Sequence, residues 1–113
     1  MTTLALALSL ILASPFSGLF SSREAAERGR AEAKADIVAG QLILRTYGIN
    51  PTGASPYARL LEERLGVKTR VVAACMVDGR IIAETAAYNE VMKREIRKRF
   101  GKDALAGIER ETR

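Results

Sequence analysis

Residues 67–100, VKTRVVAACMVDGRIIAETAAYNEVMKREIRKRF, decide how the chain is to be folded. The first part, Val67 to Val77, has β-branched residues in alternation and reads as a strand. Val71 to Val77 is apolar at both parities, which predicts burial on both faces. The last part, Asn89 to Phe100, reads as a helix ended by Gly101. Between them, Asp78-Gly79 admits two readings. Asp-Gly between apolar runs is a hairpin signal and would make Arg80–Thr85 a second strand. With Asp78 as N-cap, the same residues start a helix. On a helical wheel Ile81, Ile82, Thr85, Tyr88, Met92, Ile96 and Phe100 then fall within an arc of roughly 120°. A lone strand cannot satisfy its backbone ladder. This favours a short hairpin passing into helix near Ala86, unless another subunit supplies a partner.

Upstream, Ser55-Pro56 is a helix start, with Ser as N-cap and Pro at the first helical position. YARLLEERL follows, with Tyr57, Leu60, Leu61 and Leu65 on one face, and Gly66 ends it. Before that, residues 22–47, SREAAERGRAEAKADIVAGQLILRTY, read as one Ala-rich helix. Its first half is a solvated stalk, and its second half docks through Ile37, Val38, Leu42, Ile43 and Leu44. Gly48 suits the position just past its end, and Pro51 cannot continue it. A short helix from Asp103 to about Arg110 closes the chain. The expected fold class is α+β, mostly helical. An N-terminal membrane helix and the stalk precede a small body of helices around a short β element, either a hairpin or a single strand.

The remaining segment, residues 1–22, carries no charged side chain. Leu4 to Phe20, LALALSLILASPFSGLF, is at the short end of the ~17–25 apolar residues a spanning helix uses. A transmembrane anchor over 1–21 is the leading reading, and a cleaved signal segment the alternative. MTT lacks a basic n-region and no convincing small-residue cleavage site follows. Four basic residues, Arg23, Arg28, Arg30 and Lys34, follow the segment and none precedes it. Positive-inside counting puts the N-terminus outside and the body in the cytoplasm. The alternative is a secreted or periplasmic domain. The division is then anchor 1–21, stalk 22–47 and body 48–113. So small a body is marginal alone, which makes self-association or packing on the stalk an expectation.

The chain of 113 residues has 18 Lys+Arg, 13 Asp+Glu, one Cys and no His. Without His, Ser-His-Asp and Cys-His catalysis and ordinary zinc sites are excluded within one chain. Cys75, in VVAACMV, reads as an inert core thiol. Gly101-Lys102 is no phosphate loop, because Ile96 stands where the motif needs Gly and Asp103 where it needs Ser or Thr. Glu62 and Glu63, with Glu84 and Glu90, suggest a carboxylate set, but adjacent helix positions diverge by about 100°. Tyr47, Tyr57 and Tyr88 are expected to be half-buried. No catalytic, cofactor or metal residue is assigned.

The net charge of +5 is local. Residues 93–102, KREIRKRFGK, hold six positive groups and one negative, so this stretch alone sums to +5. Lys93, Arg94, Arg97, Lys98, Arg99 and Lys102 are the candidate contacts for an anionic surface. That surface could be the bilayer leaflet, an acidic protein or nucleic acid. Phe100 is the only interleaved aromatic, which speaks against stacking on bases. The chain is expected to be a non-catalytic interaction or accessory module. An exported small basic domain and a soluble basic nucleic-acid-binding protein are the alternatives.

Overall fold

Gly40 divides what the sequence suggested as a single long helix. The first helix, α1 (Ser22–Val38), starts at Ser21, whose hydroxyl accepts the Glu24 N–H, and ends with Ala39 as C-cap. Gly40 takes φ +80°, the Gly40 N–H bonds the Ile37 carbonyl at 3.0 Å and the Gln41 N–H bonds that of Asp36 at 2.8 Å. This paired closure satisfies the end carbonyls and is the Schellman form of termination. The residues beyond it, Ile43–Tyr47, form strand β1 and not helix. The 22–47 helix is therefore corrected to a helix and a strand. Gly48, at φ +108°, follows the strand.

A computed structural model describes residues 21–48, 55–73 and 77–113. After β1 come α2 (Pro56–Leu65), β2 (Lys68–Ala73), α3 (Gly79–Phe100) and α4 (Ala104–Glu111). The fold is mostly helical with one small sheet. No helix among the described residues is long and apolar enough to cross a membrane. The apolar leader and Cys75 lie outside the described residues.

The helical reading of Asp78 holds and the hairpin does not. The Asp78 carboxylate accepts the Ile81 N–H at 2.9 Å, and α3 runs unbroken for 22 residues. The objection that β2 would stand alone is met by β1, which pairs with it in parallel from Ile43↔Lys68 to Tyr47↔Ala73, slipping between Thr46 and Tyr47. A parallel pair needs a crossover, and α2 supplies it. Its ends are those the sequence indicates: Ser55 caps Ala58 N–H, Pro56 opens the helix and Gly66 closes it at φ +68°.

β1 is the more buried strand of the pair, with Ile43 and Leu44 both buried. Its outer edge is covered by one side chain from α3. The Arg45 N–H donates to Asn89 Oδ1, and Asn89 Nδ2 donates to the Arg45 carbonyl, both at 2.9 Å. The amide stands in for a neighbouring strand and leaves that backbone pair satisfied. Among the described residues β2 has β1 on one side only. Lys68 and Arg70 are exposed, Val71 is 52 % exposed and Val77 is 40 % exposed, so the expected burial is corrected at Val71 and Val77. Charged residues on an edge strand discourage further pairing.

The stalk expectation also changes. α1 lies along α3 and buries Ala25, Gly29 and Ala33. Gly29 sits at Glu84 and Tyr88, while Lys34, Ile37 and Val38 meet Val91, Arg94, Glu95 and Lys98. Residue numbers rise together, so the two helices run in the same direction. The core joins Leu42, Ile43 and Leu44 to Leu61, Val67, Tyr88, Met92, Ile96, Leu105 and Ile108. Tyr88, Met92 and Ile96 are fully buried as the wheel requires, whereas Ile82 and Phe100, together at one end of the arc, are 52 % and 42 % exposed.

Candidate interaction surface

The six basic residues all lie on the exposed side or end of α3. Its other side, Met92 and Ile96, is locked into the core. Core burial therefore fixes where the charges point. Arg94 reaches Glu90 at 3.5 Å, and the Arg99 Nε donates to Glu95 at 2.7 Å, each an i,i+4 pair. Such exposed pairs contribute a few tenths of a kcal/mol. Lys93, Arg97, Lys98 and Lys102 have no carboxylate within 4.0 Å among the described residues. Arg97, Lys98 and Arg99 in the last turn also answer the negative end of the helix dipole.

Because α1 and α3 run in parallel, the basic end of α3 lies beside the C-terminal end of α1. Between them is a groove of about 470 Å³. Ile37, Val38 and Val91 line it with apolar surface, and Lys34, Arg94 and Lys98 line it with positive charge. Glu95 also borders it but is engaged by Arg99. The sequence offered the basic run but not the groove, since Lys34 and Val38 belong to a helix more than fifty residues earlier.

A second polar cluster went unseen in the sequence. The Arg45 side chain is 10 % exposed and lies 3.7 Å over the Tyr88 ring. Its Nη1 is 3.4 Å from both Glu32 and Glu84, and Arg28 reaches Glu84 at 3.6 Å. The Arg45 Nε is buried and has no hydrogen-bond partner among the described residues. The Tyr88 hydroxyl donates to Asp36 at 2.6 Å. Burial, then that bond to Asp36, pushes the Tyr88 hydroxyl well above the usual phenol range. Spacing offered one faint signal: Glu32/Asp36 and Glu84/Tyr88 are each i,i+4 pairs, on helices that prove to be neighbours.

Burial, together with a hydrogen bond to the Glu32 carboxyl, raises the Glu84 pKa above the usual carboxylate range, and Arg28 and Arg45 oppose this. The folded state therefore holds this proton more tightly than the unfolded chain does. The Glu84 contribution to stability is full below the unfolded glutamate pKa and is lost as pH rises through the raised folded value. Glu84→Gln mimics the protonated form. Its stability relative to wild type should rise between pH 4.5 and pH 7, as urea unfolding at stepped pH would show. A gap that stays constant with pH would refute this account.

The imagined carboxylate set is not assembled. Glu84 faces Glu32, Glu90 faces Arg94, and Glu62 and Glu63 are exposed. Among the described residues no three Asp, Glu, Cys or His gather to hold a metal ion. The tyrosines differ from one another: Tyr88 is fully buried, Tyr57 is half-buried and Tyr47 is 44 % exposed. Burial and then the nearby Glu109 raise the Tyr57 pKa. Arg64 bonds Glu111 in a two-pronged contact, tying α2 to α4 and holding that carboxyl below its usual range. No family model, curated protein or solved structure matches the chain.

Proposed function

We propose that the chain is a non-catalytic interaction module, held at a membrane by a spanning anchor within residues 1–21, with its body in the cytoplasm. The N-terminus is outside. One observation carries the interaction part. Lys93, Arg97, Lys98 and Lys102 lack carboxylate partners among the described residues, on a helix whose opposite side is fixed by Met92 and Ile96. Such a surface attracts an acidic partner at long range and sets its orientation.

The direction of α1 bears on which partner. From Ser22 to Val38 the helix rises about 24 Å. The basic end of α3 lies at the far end of that rise from Ser22. Attraction between exposed charges and a bilayer decays over a Debye length of about 8 Å. With α1 standing along the bilayer normal, an acidic protein therefore fits this surface better than the headgroups around the anchor.

Zero-length carbodiimide coupling in membranes carrying the full chain tests this, since it joins lysine amines to carboxyls in direct contact. Coupling to a partner at Lys93, Lys98 and Lys102 should exceed coupling at exposed Lys68. It should fall about tenfold when Arg97 and Arg94 are both changed to Glu. The chain should resist carbonate extraction with residues 1–21 intact by mass. Equal coupling at Lys68, loss of the leader, or adducts destroyed by nuclease would overturn the proposal.

A further inference from the structure

We infer that the groove between the C-terminal ends of α1 and α3 is the docking site for a short acidic amphipathic helix of a partner protein. The inference deepens the proposed function and rests on it. The groove is lined by apolar and cationic side chains together. Val38, 87 % exposed, lines it with Ile37 and Val91, and so do Lys34, Arg94 and Lys98. This is the complement of a helix with apolar side chains on one face and carboxylates flanking them.

The dimensions agree. From Val91 to Lys98 α3 rises about 10 Å, or two turns of a docked helix. A volume of about 470 Å³ has room for a few apolar anchor side chains. The single acidic group at the groove, Glu95, is neutralised by Arg99 at 2.7 Å, so the field an incoming carboxylate meets is positive. A second copy of this chain would bring its own Lys34, Arg94 and Lys98 against the same cations, and like-charge juxtaposition opposes that. With α1 standing along the bilayer normal, its rise of about 24 Å from Ser22 disfavours anionic lipid.

The test uses the full chain in nanodiscs of zwitterionic lipid. The probe is a fluorescein-labelled 15-residue peptide with Leu at positions i, i+3, i+4 and i+7 and Glu on its other face. A peptide of the same composition with that periodicity scrambled is the comparison. The periodic peptide should bind at least about tenfold more tightly than the scrambled one. Val38→Asp should weaken it about tenfold, and so should Lys34→Glu with Lys98→Glu. All three residues are exposed, so the fold should survive, and far-UV circular dichroism checks this.

Equal binding of the two peptides would overturn the inference, as would indifference to Val38→Asp. Binding to phosphatidylglycerol vesicles that exceeds peptide binding and is abolished by the same substitutions would assign the groove to a bilayer instead. Carbodiimide adducts at Lys93 and Lys102 with no peptide binding would remove the groove and leave the interaction module standing. Peptide binding without adducts would do the reverse.

Discussion

Gly29→Ala should destabilise the protein by about 3 kcal/mol, the upper part of the usual range for overpacking. A methyl group at this position would lie 2.1 Å from the Glu84 carbonyl oxygen, 3.0 Å from its carbon and 3.1 Å from the Tyr88 nitrogen. All three are backbone atoms of α3, so no side-chain rotation relieves the clash. The helices must separate instead. Ala25 and Ala33, each at most 1 % exposed, lie one turn to either side and would lose contact as well. Alanine's better helix propensity returns about 1 kcal/mol at most, which the clash outweighs. For a domain of this size, thermal unfolding should drop by about 12 °C or more. Gly107→Ala is the matched control. Its added methyl meets only the Arg110 Nη2, at 4.0 Å, and should stabilise α4 by about 0.5–1 kcal/mol. A Gly29→Ala protein that melts at or above wild type would show that the helices are not in backbone contact here.

Gly29 illustrates what single-chain pattern can and cannot supply. In sequence it looks like a modest weakness in an Ala-rich helix, because the contact that requires it comes from Glu84 and Tyr88. The helix ends written into neighbouring residues were legible: Ser55-Pro56, Gly66, and Gly101 after Phe100. So was the buried stripe of Tyr88, Met92 and Ile96, which depends on helical period alone. Gly48 was read as the end of the first helix, whereas the helix ends at Gly40 and Ile43–Tyr47 pairs with β2 instead. That partner begins twenty-five residues later, beyond the reach of any local window. Asp78-Gly79 was ambiguous for the same reason. Its side chain caps a helix as readily as its backbone turns a hairpin, and the presence of β1 removed the need for a second strand after it. The basic run was legible because charge is a property of composition. The groove and the Arg45 cluster were not, since each is assembled from separated elements.

Arg45→Ala should cost about 1–3 kcal/mol, between the value of an exposed ion pair and that of a buried one, because Glu32 and Glu84 are 44 % and 25 % exposed. The side chain is 10 % exposed, its Nη1 is shared between Glu32 and Glu84, and its guanidinium lies over Tyr88. Truncation removes the charge and the contact together, so a second variant is needed to separate them. Arg45→Met keeps a stem that can cover the Tyr88 ring while removing the charge, and its loss should be smaller. The charge part depends on what Arg45 leaves behind. In wild type it leaves two facing carboxylates, one of which already binds its proton more tightly because of burial. With Glu84→Gln it leaves only one charge, and the amide can still bond Glu32. Arg45→Met should therefore cost less in the Glu84→Gln background, with a coupling of about 1 kcal/mol or more in a double-mutant cycle. Protonation does the same work as that substitution. The Arg45→Met penalty should shrink as pH falls from 7 toward 4.5, and it should shrink less when Glu84 is already Gln. Urea unfolding of the four proteins at both pH values checks each step. If Arg45→Met costs the same in both backgrounds and at both pH values, the arginine acts by packing on Tyr88 alone and the charge cluster contributes nothing to the fold.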